Sequence, residues 1–324
     1  MLLSIVSIAS DHNWEYLHKL MTRKKFTGLK TEFYEHPFDH KALVTLERTP
    51  VLPMLLKKIN EYGIDKLLRM QTTGSEFKVT PRNFPNLHNA FEEACNILDV
   101  VPIPELFLFR GTGYIKAYAI GVEKPVVGIN LEGMEWLSHD ELLFVFGHEV
   151  ARIKGKYLAY QQMAHVMPAV KNLISTTTLG MGGIAANGLE IALYNWMMMA
   201  KFTADRAGLL ACQDQDVAIT ALMKLGGLPQ EYLNEDTIND FVLQARAFEF
   251  NNLDSLGQFA KTFSFMEHLL PWMVMRASEV LKWVESGDYE NLLQGKAPDT
   301  QQAENQQDDE DWNFLTAWDT TEQS

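Results

Sequence analysis

Apolar residues along this chain follow first one spacing and then another. In VLPMLLKKINEYGIDKLLRM (51–70) and NLHNAFEEACNIL (86–98) they recur every three or four positions, which keeps one face of a helix apolar. Between these two segments SEFKVT alternates like a strand, and PRNFPN is rich in helix breakers. Three short runs of apolar and β-branched residues come next, ELFLFRG, YIKAYAIG and PVVGINL, separated by Gly or Pro, and they predict a small sheet. From His139 onward nearly every segment reads as helix: DELLFVFGHEVARIKGKYLAYQQM, IALYNWMMMAKFTADRAGLLACQD, DVAITALMKLGG, DTINDFVLQARAFEF and MVMRASEVLKWVESG. Gly226, Gly227 and Pro229 end one of these helices. Beyond Gln294 the periodicity is lost and Gln, Asp and Pro take over, a composition that predicts a disordered tail. The pattern predicts an α+β chain, mostly helical, divided into an N-terminal α/β region (1–104), a core with C-terminal helices (105–293) and an acidic tail (294–324).

Composition narrows the function classes. With 47% hydrophobic residues the chain has material for a substantial core. The net charge of −14 is uneven, because residues 297–324 carry eight Asp or Glu and no Lys or Arg, leaving 34 acids against 28 bases elsewhere. No basic patch exists to neutralise phosphates, so nucleic acid is excluded as a partner. Two cysteines, Cys95 and Cys212, build neither a disulfide framework nor a thiolate metal site, and they predict a reducing, cytoplasmic setting. The opening MLLSIVSIAS lacks a basic flank and a cleavage pattern, and reads as a buried strand or helix. Residues 172–189, NLISTTTLGMGGIAANGL, are uncharged, but fewer than half are apolar; they read as a helical hairpin rather than a membrane span, with membrane association through them the alternative left open.

The chemistry concentrates at GHEVARIKG, residues 147–155. In a zinc-binding HExxH helix two histidines four residues apart face one metal, and the intervening Glu polarises its water. Here His148 and Glu149 fill the first two places, and Arg152 stands in the fifth. A His-Glu dipeptide alone carries little weight. The wider pattern carries more: DELLFVFGHEVARIKGKYLAY, then MMMAKFTADRAGLLACQD, then PWMVMRASEVLKWVESGDYENLL. Together with weaker likeness in HPFDHKALVTLERTP, VTPRNFPNLHNAFEEACNILDV, PELFLFRG and YIKAYAIGVEKPVVGINLEGMEWL, these segments resemble the HtpX-like and CAAX-prenyl-protease type of zinc metallopeptidase over roughly residues 35–293.

That resemblance implies a zincin-like fold, in which a small sheet packs on the zinc-binding helix, an edge strand receives extended substrate, and a later helix supplies a third ligand. It implies that His148 matches the first zinc ligand and Glu149 the general base. Arg152 replaces the second histidine, and Lys201, four residues before Asp205 in KFTAD, replaces the ligand glutamate. Asp205 and Arg276 are implied as site-supporting residues. Lys116 and Ala117 stand at the edge-strand position, and Leu270 stands where a substrate-stabilising histidine is expected, with His268 two positions away. Zinc needs lone pairs from imidazole, thiolate or carboxylate; a guanidinium offers none and repels a dication. The expectation is that Arg152 and Lys201 fill the metal volume and pair with Glu149 and Asp205, with N to O separations of about 4 Å or less.

Other features add less. His36 and His40 share the i, i+4 spacing, but HPFDH has no glutamate in the base position, and Pro37 opposes a helix starting before them. Met197 to Met199 read as core filling, and GMGG at 180–183 as a turn. No phosphate loop and no G-x-S-x-G elbow is present. The tail DDEDWNFLTAWDTTEQS places Trp312, Phe314, Leu315 and Trp318 behind four acids, a spacing suited to docking on a partner or in the protein's own cleft. The leading expectation is a metallopeptidase-like pseudoprotease without bound zinc that binds a polypeptide or protein partner. Two alternatives stay open: an active zinc-dependent endopeptidase with an atypical site, and a structural subunit acting through its tail.

Overall fold

A four-stranded sheet and the helices packed on it organise the chain. The computed structural model describes residues 23–49, 52–61, 63–155, 157–164, 166–167, 181–248 and 272–296. Three helices come first, α1 (Pro37–Glu47), α2 (Leu52–Glu61) and α3 (Ile64–Ser75). The continuous helix expected over 51–70 is therefore two, parted at Gly63, whose φ of 65° is left-handed. Then follow β1 (Phe77–Lys78), α4 (Pro85–Ile97), β2 (Glu105–Phe109), β3 (Ala117–Ile120) and β4 (Val126–Asn130). The strand expected in SEFKVT is only two residues long.

The sheet order is β1-β2-β4-β3. β2 and β4 run parallel, with Phe107 opposite Gly128, while β1 and β3 pair antiparallel at the two edges. Every residue of β4 is buried, as its near-continuous apolar run requires of a central strand. Its last residue, Asn130, is buried and caps α5 (Leu131–Trp136) by accepting from the Gly133 amide. The same side chain accepts from the Lys116 amide at 2.9 Å and donates to the Tyr114 carbonyl at 2.6 Å, which fixes the start of β3.

α6 (His139–Lys154) opens with a capping box, in which Ser138 and Glu141 satisfy each other's backbone amides. It buries every residue from Glu141 to Ala151, and it ends at Gly155 instead of running on to residue 163. Phe146 meets Phe91 of α4 edge to face, 5.2 Å between centroids. The 32-residue α7 (Met181–Cys212) lies along α6. Its first residues belong to the stretch read as a hairpin; residues 172–180 of that stretch lie outside the described residues. Residues 158–164 are helical again, and after α7 come α8 (Gln215–Leu225), α9 (Glu235–Ala247), α10 (Met273–Glu285) and α11 (Asp288–Leu293). One apolar core joins the sheet to α4, α6, α8 and α10; a second joins α1, α2 and the first half of α7. Met198 and Met199 are buried in the second core, as core-filling methionines should be. Among the described residues no helix is long and apolar enough to cross a membrane.

Candidate functional site

The helix pair α6 and α7 touches at two glycines. A Cβ on Gly147 would meet the Ala207 carbonyl at 2.9 Å and the Ala211 methyl at 2.6 Å, and one on Gly208 would meet the Phe144 carbonyl at 2.7 Å. Only glycine allows this approach, and it brings His148, the next residue of α6, against Asp205 of α7. His148 Nδ1 lies 2.8 Å from Asp205 Oδ1. Asp205 is fully buried. Arg276, from the first turn of α10, closes on it with two charge-assisted hydrogen bonds, Nε to Oδ2 at 2.8 Å and Nη2 to Oδ1 at 2.6 Å.

Charge and protonation follow from this packing. Burial pushes the Asp205 pKa up, but the charge and hydrogen bonds of Arg276, with the His148 bond, overcome it and hold the carboxyl well below the ordinary range. Burial lowers the pKa of His148 against the pull of Asp205, so its imidazole is neutral at pH 7. An ionised Asp205 takes the proton on Nδ1, which leaves the Nε2 lone pair unused. The 3.4 Å approach of Arg276 Nη2 to Nδ1 then sets one donor beside another, a contact without a hydrogen bond.

One turn further along α6, Arg152 Nη1 lies 3.7 Å from Glu149 Oε2. That is within ion-pair range but too long for a hydrogen bond, and Oε2, buried, has no hydrogen-bond partner. Lys201 lies one turn before Asp205 on α7 and is half-buried. The expected pairing of Arg152 with Glu149 is present. That of Lys201 with Asp205 is not: Arg276 neutralises Asp205 instead. A guanidinium forks onto both carboxylate oxygens at once, which an ammonium cannot do. The resemblance implied Arg276 as a site-supporting residue without pairing it to Asp205; the local signal was an arginine inside an apolar helical segment, between Met275 and Ala277, both buried.

The structure thus gathers His148, Glu149, Arg152, Asp205 and Arg276 into one cluster. Lys116, exposed, immediately precedes the edge strand, and Ala117, half-buried, begins it. Leu270 and His268 lie outside the described residues, as do His165 and the aromatic tail. His36 and His40 do not share a site: His36 Nε2 bonds Glu279 at 2.9 Å, whereas His40 Nδ1 bonds Glu35 at 2.9 Å. Arg206, next to Asp205 in sequence, turns away from it, donates to the Glu35 carbonyl and lies 5.0 Å over the Trp283 ring.

The donor set does not suit zinc. His148 offers one nitrogen, Glu149 is partnered by a cation, and the positions that resemblance assigns to the second and third ligands carry Arg152 and Lys201. Among the described residues no group of three or more His, Cys, Asp or Glu is arranged to hold a metal ion.

Comparison with known proteins adds lineage to this geometry. The model of the family described as Peptidase family M48 matches residues 81–278. "Plastoglobule-localized metallopeptidase 48, chloroplastic" of Arabidopsis thaliana is 27% identical over 270 residues, covering 83% of this chain and 77% of that protein. "Protease HtpX homolog 2" of Methanosarcina acetivorans is 25% identical over 222 residues, covering 60% of this chain and 74% of that protein. No solved structure matches.

Proposed function

The chain belongs to peptidase family M48, and from that premise we propose that it is a pseudoprotease of the family, which keeps the metallopeptidase-like scaffold, has lost zinc hydrolysis and acts by binding a polypeptide. The observation that carries this reading is the pair of cations at the positions of the second and third zinc ligands, Arg152 and Lys201. Neither side chain has a lone pair to give at neutral pH, and each opposes a dication. Glu149 keeps the place of the general base but faces Arg152 at 3.7 Å. The carboxylate–histidine pair of Asp205 and His148 remains, and its role is structural, with Arg276 supplying the positive charge.

Polypeptide binding would use the open end of β3. The Lys116 carbonyl accepts from the Asn130 amide at 3.0 Å, so the two-residue period of the strand turns the backbone of Ala117 away from β4. No described strand pairs with that side, and a bound segment would extend the sheet there. Cytoplasmic placement rests on the two free, buried thiols, Cys95 and Cys212.

Elemental analysis of protein purified without chelator tests the reading, with the Arg152→His, Lys201→Glu double variant alongside. Wild type without zinc and a double variant holding about one per chain support a disarmed site. Stoichiometric zinc in wild type, with cleavage of an unfolded substrate, overturns it in favour of the active endopeptidase.

A further inference from the structure

A cavity of about 550 Å³ lies away from the helix cluster, between the start of α4 and the turn from α5 into α6. Its volume falls within the range of small-ligand pockets, about 300–1,000 Å³. Leu87, Leu137 and Leu142 give it a buried apolar floor, with Phe84 and Met134 half-buried beside them. Exposed Asn86 and Asn89 supply amides to the rim, and His139 stands at one side. α4, thirteen residues long, starts at Pro85 with no side-chain cap, so the amides of Asn86 and Leu87, two residues that line the cavity, have no side-chain acceptor, and the positive end of the helix dipole falls beside it. The carboxylates beside His139 are already engaged: Glu93 bonds both His139 and Arg23, and Asp140 bonds Arg23.

Both ends of the described chain come close to this cavity. Arg23 bonds Glu93 at 2.9 Å, and Glu93 bonds His139 at 2.8 Å. The neighbouring Lys24 bonds the carbonyls of Leu292 and Leu293 at 3.0 and 2.6 Å, three residues before the described chain ends at Lys296. From Lys296 to Trp312 an extended chain spans about 50 Å, far more than this short run of contacts requires. The sequence there joins four acids, Asp308 to Asp311, to Trp312, Phe314 and Trp318. An apolar floor under amide donors and a positive helix end calls for an occupant that is aromatic and acidic together. The segment before Arg23 also has a tryptophan, Trp14, but Asp11 and Glu15 there are accompanied by Lys19, His12 and His18.

We propose that the cavity between α4 and α6 is a docking site for the chain's own acidic aromatic segment, residues 308–318, with a tryptophan on the Leu87, Leu137 and Leu142 floor and the aspartates at the open start of α4. The site is separate from the His148 cluster and does not depend on whether that cluster holds metal. Such docking gathers the tail's charge onto the α4 face and shields its large aromatics from water.

Disulfide trapping in the full-length chain tests this, because Cys95 and Cys212 are buried and do not compete. Asn89→Cys is paired with Asn313→Cys in one protein and with Asn13→Cys in another, under the same mild oxidant. The expected result is a crosslink within one molecule, at least tenfold faster from position 313 than from position 13. Adding Trp312→Ser with Asp308, Asp309 and Asp311 changed to Asn and Glu310 to Gln should slow the 313 crosslink to the rate of position 13. A crosslink forming only between molecules, or as fast from position 13 as from 313, overturns the proposal, as does a rate unchanged by the added substitutions.

Discussion

Helices α7 and α10 each serve two buried polar clusters, one turn apart, and the clusters solve the same problem differently. Asp205 and Arg276 face His148; Thr203, Arg206 and Glu279 face His36 and Asp39. Asp205 and Asp39 are both fully buried. Asp205 has every oxygen occupied, by a guanidinium fork and an imidazole, and its pKa is held low. Asp39 accepts from the Thr203 hydroxyl at 2.5 Å, its Oδ1 has no hydrogen-bond partner, and burial pushes its pKa up to about 6. The cations of this second cluster go elsewhere: Lys282 bonds Glu279 at 2.7 Å, and Arg206 is given to a carbonyl and a ring face, with burial lowering its own pKa to about 10. Burial costs two aspartates alike; what separates them is whether a cation is delivered to the carboxylate.

The largest effect should come from removing that cation. Arg276→Met strands Asp205 as a buried charge, and a loss of about 3–5 kcal/mol in urea unfolding is expected. Thr203→Val, the parallel change in the second cluster, removes one hydroxyl and should cost about 1–3 kcal/mol. Equal costs would break the comparison. Adding Asp205→Leu to Arg276→Met should recover most of the loss, since an apolar pair replaces a buried ion pair at little net cost.

Acid titration sharpens the contrast. The folded pKa of Asp39 is raised, so its stabilising contribution is full below about pH 4 and is lost as pH rises through about 6. Burial lowers the pKa of His36 to about 4, so its contribution is full above about pH 6.5 and is lost as pH falls towards 4. The two run in opposite directions across the same window, each on the order of 2–3 kcal/mol. Asp205, with its depressed pKa, stays ionised through that window. His148, whose pKa burial also lowers, adds a loss on acidification that wild type and variant share, so the readout is their difference: between pH 6.5 and 4.5 Asp39→Asn should lose about 2 kcal/mol more than wild type, because the opposing Asp39 contribution is gone. Equal profiles in wild type and variant would show that Asp39 does not carry the charge cost assigned to it.

What the sequence revealed of these clusters followed the range of the forces involved. Local signals were readable: the apolar spacing of α4, α6, α8 and α10, the Gly226 and Gly227 stop, and the three runs that became β2, β3 and β4. The breaks at Gly63 and Gly155 were not, because periodicity continues across them and the chain turns only where packing asks it to. Within the site, His148, Glu149 and Arg152 share one helix, so the approach of Arg152 to Glu149 followed from i, i+3 spacing. The partner of Asp205 did not, because Arg276 is 71 residues away and Lys201 only four. His36 with Glu279, and Asp39 with Thr203, are longer connections still, and nothing in their local sequence announces them.

The smallest predicted effect bears hardest on how the two cations of the first cluster differ. Arg276 meets its carboxylate in a fork at 2.6 and 2.8 Å, whereas Arg152 stays 3.7 Å from Glu149, and its side chain keeps 15% of its exposure against 9% for Arg276. A pair that makes no hydrogen bond and still reaches water should be worth what exposed ion pairs are worth, about 1 kcal/mol or less. Arg152→Gln should therefore change unfolding stability by no more than that, and Glu149→Gln should be neutral or slightly stabilising, because it removes the charge from a buried oxygen that has no hydrogen-bond partner. If Arg152→Gln instead costs as much as Arg276→Met, the charge at position 152 is a structural counter-ion of the buried cluster. Arg152 would then hold the cluster together, and Arg152→His would lower the stability of the metal-free fold by as much as Arg152→Gln does.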